Sequence, residues 1–222
     1  MDLPGAVRRI EAFRGDSLTT RLASLEKAFA GIGPLEAKDL CQAEHLGSTL
    51  LDAASDLKQV AAQIDVVIHA IGILVALPSI LDETEVVEYL SLGAGNTGRA
   101  FDLETNRRIA EFKFINWKDK ANAIRQNSVF KDFYFLAEHD TSKDRFLYVL
   151  GLSEPLKFLN GRRSLKSVMN ATLARSFRKQ YDTRFSVVRE YYHFRKDRVQ
   201  IVDLIPVLPG LAHLEILAPG PE

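Results

Sequence analysis

The chain of 222 residues lacks several features that mark particular classes of protein. It has one cysteine, Cys41, and therefore cannot form an intramolecular disulfide, as is usual in a reducing compartment. No basic segment followed by an apolar one opens the sequence. Its longest apolar run, residues 64–81, is interrupted by Asp65, His69 and Pro78. We therefore expect a soluble, cytoplasmic protein without a membrane partner.

Net charge is absent as well, but the charges are unevenly distributed along the chain. Residues 1–104 carry 8 basic and 16 acidic side chains, whereas residues 157–198 carry 12 basic and 3 acidic ones. A basic C-terminal part of this kind is typical of a surface that meets a polyanion such as nucleic acid. It is equally consistent with attraction between the two parts of the chain, or with a solvated helix face.

With 46% hydrophobic residues, the chain can bury a sizeable core. Apolar spacing predicts helices over 18–29, from Pro34, and over 48–77, where Pro78 is expected to end the helix. His69 and Asp65 lie one turn apart on that helix and could be a ligand pair, but a histidine at the edge of the core is the more common case. Residues 1–47 are predicted to form a helical N-terminal extension.

A stretch of mixed apolar and charged residues, 98–115, predicts two short strands joined at Thr105-Asn106. If Glu104 lies opposite Arg107, then Asp102 lies opposite Ile109, and the period of two places Glu111 and Lys113 on the same face as Asp102. The opposite face would carry a set of apolar side chains: Phe101, Leu103, Ala110, Phe112 and Phe114. The charged face is the candidate functional site.

The preceding segment reads GAGNTG, with glycines at positions 93, 95 and 98, and follows a predicted strand over 86–92. This matches the G-x-G-x-x-G pattern of dinucleotide-binding proteins, which keeps an oxidoreductase as an alternative. The pattern requires a helix after the last glycine, but Thr105-Asn106 interrupts that helix after about three turns. Turns between strands also use glycine and asparagine, and we favour the strand interpretation.

The pattern of Asp102 on one strand and Glu111-Phe112-Lys113 on the next, between helices, resembles the PD-(D/E)xK nucleases, the restriction-endonuclease-like superfamily. The resemblance covers about residues 50–155 and departs from the usual motif in having Phe101 where proline often stands. It implies an α/β fold with an α-β-β-β-α-β core, in which a mixed sheet is flanked by helices. Residues 48–155 would form this core.

The resemblance also implies a site that hydrolyses phosphodiesters with Mg²⁺ or Mn²⁺. Mg²⁺ prefers oxygen ligands and keeps several waters, so Asp102, Glu111 and the backbone carbonyl of Phe112 would suffice to hold it. Lys113 would position the attacking water, help to deprotonate it and stabilise negative charge. The structural alternative is a buried network of charges that joins two strands.

A helix is predicted over 121–139, and some nucleases of this type carry on that helix a glutamine that reaches the site; Gln126 is the candidate. A strand over 145–152 follows. Residues 156–222 are then predicted to form a basic helix over 164–181 and a β-hairpin of strands 185–194 and 199–207, packed on the core. The basic residues expected to contact nucleic acid are Lys118, Lys120, Arg125, Arg175, Arg178, Lys179, Arg195 and Lys196.

The sequence thus predicts a metal-dependent nuclease with nucleic acid, DNA being the expected form, as its substrate. A homodimer would be natural if both strands of a duplex are cut. Two alternatives stay open. One is an oxidoreductase that uses Gly93, Gly95 and Gly98; the other is a non-catalytic nucleic-acid-binding protein with the same fold.

Overall fold

The computed structural model of the chain describes residues 2–93, 100–114 and 122–212. The chain divides into two compact units, Met1–Asp65 and Val66–Glu222. This division differs from the predicted domains, since its boundary lies inside a helix and residues after 156 share a unit with the predicted core. Lys118 and Lys120, together with Gly95 and Gly98, lie outside the described residues.

The first unit is helical, as predicted for the N-terminal extension. The Asp2 carboxylate accepts a hydrogen bond from the Gly5 N–H at the start of the first helix, and Ser17 caps the second in the same way. An ion pair between Arg21 and Glu44, 2.6 Å long, joins the second helix to the end of the third. The helices are α1 (Leu3–Arg14), α2 (Leu18–Phe29), α3 (Pro34–Ala43) and the first half of α4 (Ser48–Ile80).

Helix α4 continues past Pro78, which corrects the prediction that it ends at Leu77. Proline removes one backbone donor, but the ladder resumes at once, because the Leu81 N–H donates to the Leu77 carbonyl at 3.0 Å. By length and composition alone, α4 could cross a membrane. In the second unit, Ile73 and Ala76 are fully buried among residues of the sheet, whereas Val67, Ile71 and Val75 are about half exposed. A soluble, cytoplasmic protein stays a prediction.

The second unit contains a five-stranded mixed sheet with helices around it, which confirms the α/β class. Its strands lie in chain order across the sheet: the first three pair antiparallel and the last three parallel. From α4 to the fourth strand, the element order is α-β-β-β-α-β. The strands are β1 (Val87–Leu90), β2 (Leu103–Thr105), β3 (Arg108–Lys113), β4 (Asp144–Val149) and β5 (Gln200–Asp203), and helix α5 (Asn122–Glu138) connects β3 to β4.

The turn between β2 and β3 lies one residue later than predicted. The Thr105 hydroxyl accepts hydrogen bonds from the N–H groups of Arg107 and Arg108, so that Leu103 pairs with Ala110. Each β2 residue therefore pairs with a β3 residue two positions later than predicted. Because side chains alternate between the two faces with a period of two, the charged residues stay on one face.

The two faces of the sheet lie in separate hydrophobic cores. Leu103, Ala110 and Phe112 pack in the core on the α4 side, as the predicted apolar face requires. Phe101 belongs to the core on the α5 side instead, together with Ile109. The prediction for Phe101 was wrong because this residue precedes β2, where the strand alternation does not apply.

The predicted C-terminal hairpin is wrong. Residues 188–195 form a helix, because the buried positions Val188 and Tyr191 are three apart and the Glu190 carboxylate accepts from the N–H groups of Ser186 and Val187. The predicted helix over 164–181 is interrupted at Asn170, which caps its second part. The C-terminal helices are α6 (Ser153–Leu159), α7 (Leu165–Val168), α8 (Ala171–Tyr181) and α9 (Val188–Arg195), and β5 pairs in parallel with β4 as the edge of the sheet.

Candidate active site

The β2–β3 pair brings the three predicted charged residues together on the α5 side of the sheet. Continuing the register by one residue places Asp102 opposite Glu111, and Lys113 follows two positions later on the same face. The Lys113 Nζ lies 3.6 Å from a Glu111 carboxylate oxygen. The three side chains are mostly buried, with exposed fractions of 17%, 13% and 18% respectively.

Asp102 is held by two contacts, one from each neighbouring element. The backbone N–H of Phe112 donates to its Oδ2 at 2.9 Å. The Nε2 of His69, from α4, lies 3.5 Å from its Oδ1. These contacts fix both oxygens of the carboxylate at the point where β2 begins.

His69 is therefore at the site and is not only a histidine at the edge of the core. Its ring meets Phe114 edge to face, with centroids 5.8 Å apart. Gly72, one turn further along α4, makes this approach possible, since a Cβ there would lie 2.6 Å from the Phe114 ring. The sequence signal was a histidine on the sheet-facing side of an apolar helix, and it did not indicate which carboxylate the ring would meet.

Helix α5 contributes an acidic residue that sequence reasoning missed. The Asp132 side chain is 6% exposed, and its Oδ2 lies 2.8 Å from the Lys113 Nζ. In the sequence, Asp132 lies between Val129 and Leu136 on the buried stripe of the helix, at a position where an apolar residue is expected. An acid in that position was the available signal.

The site contains more acids than bases, and the pKa values reflect this. Burial, together with the nearby charges of Asp132 and Asp102, raises the pKa of Glu111 to about 9. Burial also raises the pKa of Asp132, since the attraction of Lys113 does not fully offset it. Burial opposes the ionisation of Asp102, but the contacts from His69 and from the Phe112 N–H outweigh it and lower the pKa of this carboxyl.

Lys113 is the cation at the centre of this arrangement. Burial alone would lower its pKa, but the charges of Asp132 and Glu111 outweigh burial and raise it, so the ammonium keeps its charge. Lys113 and the His69 ring thus face three carboxyl groups. The remaining negative charge can be offset by a proton on Glu111 or by a bound cation.

The described residues contain no group of three or more histidine, cysteine, aspartate or glutamate side chains arranged to hold a metal ion. The expected ligand set is smaller, since it consists of the Asp102 and Glu111 carboxylates and the Phe112 carbonyl. These are hard oxygen donors, which suit Mg²⁺ or Mn²⁺, and the shortage of positive charge around Glu111 fits a divalent cation. The donor set is therefore compatible with the implied metal.

The hydrogen bond that the structure shows for Gln126 does not involve these carboxylates. The Arg163 guanidinium donates to its side-chain oxygen at 2.5 Å. Gln126 lies in the first turns of α5, whereas the residue of that helix that contacts Lys113 is Asp132, nearly two turns later. The structure thus joins Gln126 to the segment before α7.

The predicted nucleic-acid contacts are divided between surface and structural positions. Arg175, Arg178 and Lys179 are exposed on α8, and Lys196 is exposed in a short 3-10 turn. Arg195 is instead committed within the protein, because its guanidinium donates to the Glu138 carboxylate at 2.8 Å and to the Tyr181 hydroxyl at 2.6 Å. Arg125 is half-buried on α5.

The described residues after the glycine segment do not form the helix that the dinucleotide-binding alternative requires. After the glycine segment, the chain bends at residues 100–102 and enters β2, a strand that pairs antiparallel with β1. A dinucleotide fingerprint needs a helix there, followed by a parallel strand. Gly93, the one described glycine of the three, has a φ of +83°, which suits a turn.

The geometry and charge of this site are the basis for a functional proposal. Comparisons of the chain with protein-family models, with curated proteins and with solved structures find no match.

Proposed function

We propose that this chain is a metal-dependent nuclease that hydrolyses phosphodiester bonds of nucleic acid, with DNA as the expected substrate. The proposed catalytic residues are Asp102, Glu111 and Lys113. The observation that carries the proposal is the buried excess of carboxylate over cation on the α5 side of the sheet. Three buried carboxyl groups beside Lys113 and His69 can be neutralised by a proton on Glu111 or by a cation, and we infer the cation because the Asp102 and Glu111 carboxylates are hard oxygen donors.

The surrounding fold supports a restriction-endonuclease-like core. Elements α4 to β4 follow the order α-β-β-β-α-β, and α4 and α5 both reach the site, one through His69 and the other through Asp132. Asp102 precedes the second strand of this core, and Glu111 and Lys113 lie on the third. This is the placement that the resemblance to the PD-(D/E)xK nucleases implies.

In this proposal Mg²⁺ or Mn²⁺ is held by Asp102, Glu111 and the Phe112 carbonyl. When bound, the ion supplies a Lewis acid for the phosphate and lowers the pKa of a water molecule. His69 and the Phe112 N–H hold the Asp102 carboxylate in place before the substrate arrives. Such fixed geometry lowers the cost of reorganisation during the reaction.

Lys113 donates hydrogen bonds to a phosphate oxygen and stabilises the negative charge that develops there. Asp132 is a positioning residue, since it holds the ammonium at 2.8 Å without itself reaching the phosphate. Asp132 is almost fully buried, so this ion pair fixes the position of the Lys113 ammonium beside Glu111.

The experiment is a cleavage assay on labelled single-stranded, double-stranded and branched DNA and on RNA, with Mg²⁺, with Mn²⁺ and with EDTA. We expect cleavage that requires the metal, and a loss of at least about 10²-fold in Asp102→Asn and in Lys113→Ala, since each removes a group from the reacting centre. Unchanged activity in both variants would refute the site assignment.

Lys143→Ala is the matched control. Lys143 is 21% exposed and lies between the Glu88 and Glu104 carboxylates at 2.7 and 2.9 Å, so it resembles Lys113 in exposure and in partners but lies elsewhere. Its substitution should leave cleavage within about twofold, as for a surface ion pair. Binding of nucleic acid without any metal-dependent cleavage would favour the non-catalytic alternative.

A single site per chain cuts one strand at a time, so cleavage of both strands of a duplex would be natural for a homodimer. Sedimentation of the protein with and without duplex tests this part of the proposal. A monomer that nevertheless makes double-strand breaks would contradict it.

A further inference from the structure

A groove on the C-terminal half of the second unit is separate from the proposed catalytic residues. It has a volume of about 770 Å³ and is lined by side chains from segments 164–169, 174–178 and 182–186. Its apolar surface comes from Met169 and Phe185, which are both partly exposed. Phe177, whose ring meets that of Phe185 at 6.3 Å, is 2% exposed and supports them from the core. We call this the C-terminal groove. Its size suits a ligand of nucleotide dimensions.

Two cations, Lys166 and Arg178, line the same groove, and both residues are exposed. They lie in the most basic part of the chain, where residues 157–198 carry 12 basic and 3 acidic side chains. An apolar surface next to lysine and arginine combines a place for base stacking with phosphate-binding groups.

Asp182 gives the groove a single acidic group and an unusual backbone. It follows the end of α8 with φ +49° and ψ −117°, a conformation that glycine adopts at lower cost than a residue with a Cβ. Its N–H donates to the Arg178 carbonyl at 2.8 Å, so the conformation is tied to the end of the helix. The carboxylate at the edge of the groove can accept a hydrogen bond from an N–H or O–H group of a ligand.

We propose that the C-terminal groove binds one nucleotide unit: the base lies against Met169 and Phe185, a phosphate meets Lys166 and Arg178, and Asp182 accepts from a base amine or a sugar hydroxyl. The unit is a nucleotide of the substrate strand, and this identification of its source rests on the proposed nuclease function. A free nucleotide presents the same chemistry, and the experiment separates the two.

The experiment measures binding of a labelled single-stranded DNA of about 12 nucleotides in EDTA, where cleavage does not occur, by fluorescence anisotropy at two salt concentrations. We expect the double variant Lys166→Gln/Arg178→Gln to bind at least about tenfold more weakly and to lose about two units from the slope of log affinity against log salt. Thermal unfolding verifies that the variant is folded.

The matched control is Lys157→Gln/Arg162→Gln. These residues are also exposed and basic and lie in the same part of the chain, but they do not line the groove and are not among the predicted nucleic-acid contacts. Affinity should fall much less in this control. An equal loss of affinity in both double variants would mean that a diffuse basic surface binds the DNA, and it would refute binding in the groove.

Asp182→Gly and Asp182→Asn test the acidic group. Glycine removes the backbone strain, so the unfolding temperature should be unchanged or higher, while affinity for the strand should fall about fivefold, as for one lost hydrogen bond. Affinity equal to that of the unmodified chain in both variants would remove Asp182 from the proposal.

Free mononucleotides at millimolar concentration identify the source of the ligand. Displacement of the DNA that depends on Lys166 and Arg178 supports the groove, whereas tight binding of a mononucleotide without binding of the strand would assign the groove to a free nucleotide. Groove-dependent binding in EDTA combined with no cleavage in Mg²⁺ would refute the proposed nuclease function alone. Cleavage with no groove-dependent binding would refute the groove alone.

Discussion

Two clusters of buried charge lie on the two faces of the same sheet, and they differ in how completely their charges are paired. On the α4 side, the Glu85 carboxylate forms a two-point pair with the Arg108 guanidinium, and the Thr105 hydroxyl donates to the same carboxylate. Arg108 also donates to the Tyr148 hydroxyl at 2.9 Å and lies 4.7 Å from the Phe146 ring centroid. Every charge in this cluster has an opposite charge.

On the α5 side, Lys113 and the His69 ring face three carboxyl groups. The difference shows in the pKa values: burial opposes ionisation of Glu85, but the hydrogen bonds from Arg108 and Thr105 outweigh it and lower the pKa, whereas the pKa of Glu111 is raised to about 9. The paired cluster joins the start of β1 to the β2–β3 turn. The crowded cluster does not stabilise the protein in this way when no ligand is bound. A cluster of acids with this property is expected at a site that binds a cation.

The largest effect is expected on the paired side. Glu85→Gln leaves the buried Arg108 guanidinium with only the exposed Asp82 carboxylate, 3.6 Å away, as a counter-charge, so the free energy of unfolding should fall by about 3 kcal/mol. Urea unfolding monitored by circular dichroism measures this. Glu83→Gln, on an exposed residue two positions earlier, should change the value by less than about 0.5 kcal/mol; an equal effect in the two variants would contradict the comparison.

The next effect concerns cation binding on the crowded side. Mg²⁺ or Mn²⁺ should raise the free energy of unfolding of the unmodified chain by up to about 2.7 kcal/mol at a hundred times its dissociation constant. Asp102→Asn and Glu111→Gln should abolish this increase, because each removes a carboxylate ligand, while Glu83→Gln should retain it. Thermal unfolding with and without the ion measures the increase, and an increase that survives in both site variants would place the ion elsewhere.

On the α5 side, a Glu→Gln substitution should change the free energy of unfolding in the opposite direction from Glu85→Gln. Without metal, Glu111→Gln removes one of three crowded acids, so the free energy of unfolding should be unchanged or higher by about 1 kcal/mol, although cleavage is lost. Urea unfolding in EDTA compares it directly with Glu85→Gln. A loss similar to that of Glu85→Gln would mean that Glu111 is part of a structural network.

The smallest effect is a dependence on acidic pH from a second paired carboxylate. Burial opposes ionisation of Glu138, but hydrogen bonds from Arg195, Tyr181 and Tyr191 outweigh it and lower its pKa. A lowered pKa in the folded state means that the stabilisation is complete above the unfolded value of 4.5 and is lost as the pH falls through the folded value.

We therefore expect Glu138→Gln to lower the free energy of unfolding at pH 7 by about 1 kcal/mol and to reduce the loss that the unmodified chain shows as the pH falls below 4.5. Urea unfolding at several pH values measures both. A pH profile identical to that of the unmodified chain would show that Glu138 does not contribute.

Much of the local structure could be predicted from the sequence. The bounds of α2 match the apolar spacing, and the shared face of Asp102, Glu111 and Lys113 follows from the period of two even though the register differed from the prediction. The helix of residues 188–195 could not be predicted in this way, because its aromatic residues also fit the alternation of a strand. Burial of Val188 and Tyr191 against α5 and α8 selects the helix, and these contacts are distant in the sequence.

By itself the sequence determined which acids and which base lie on one face, since strand alternation is a local property of the backbone. Only the tertiary structure decided that His69 meets Asp102, that Asp132 holds Lys113, and that Gln126 turns to Arg163. The physical reason is that the position of a helix over a sheet is set by packing. Packing depends on contacts such as that of Gly72 with Phe114, which no local pattern encodes.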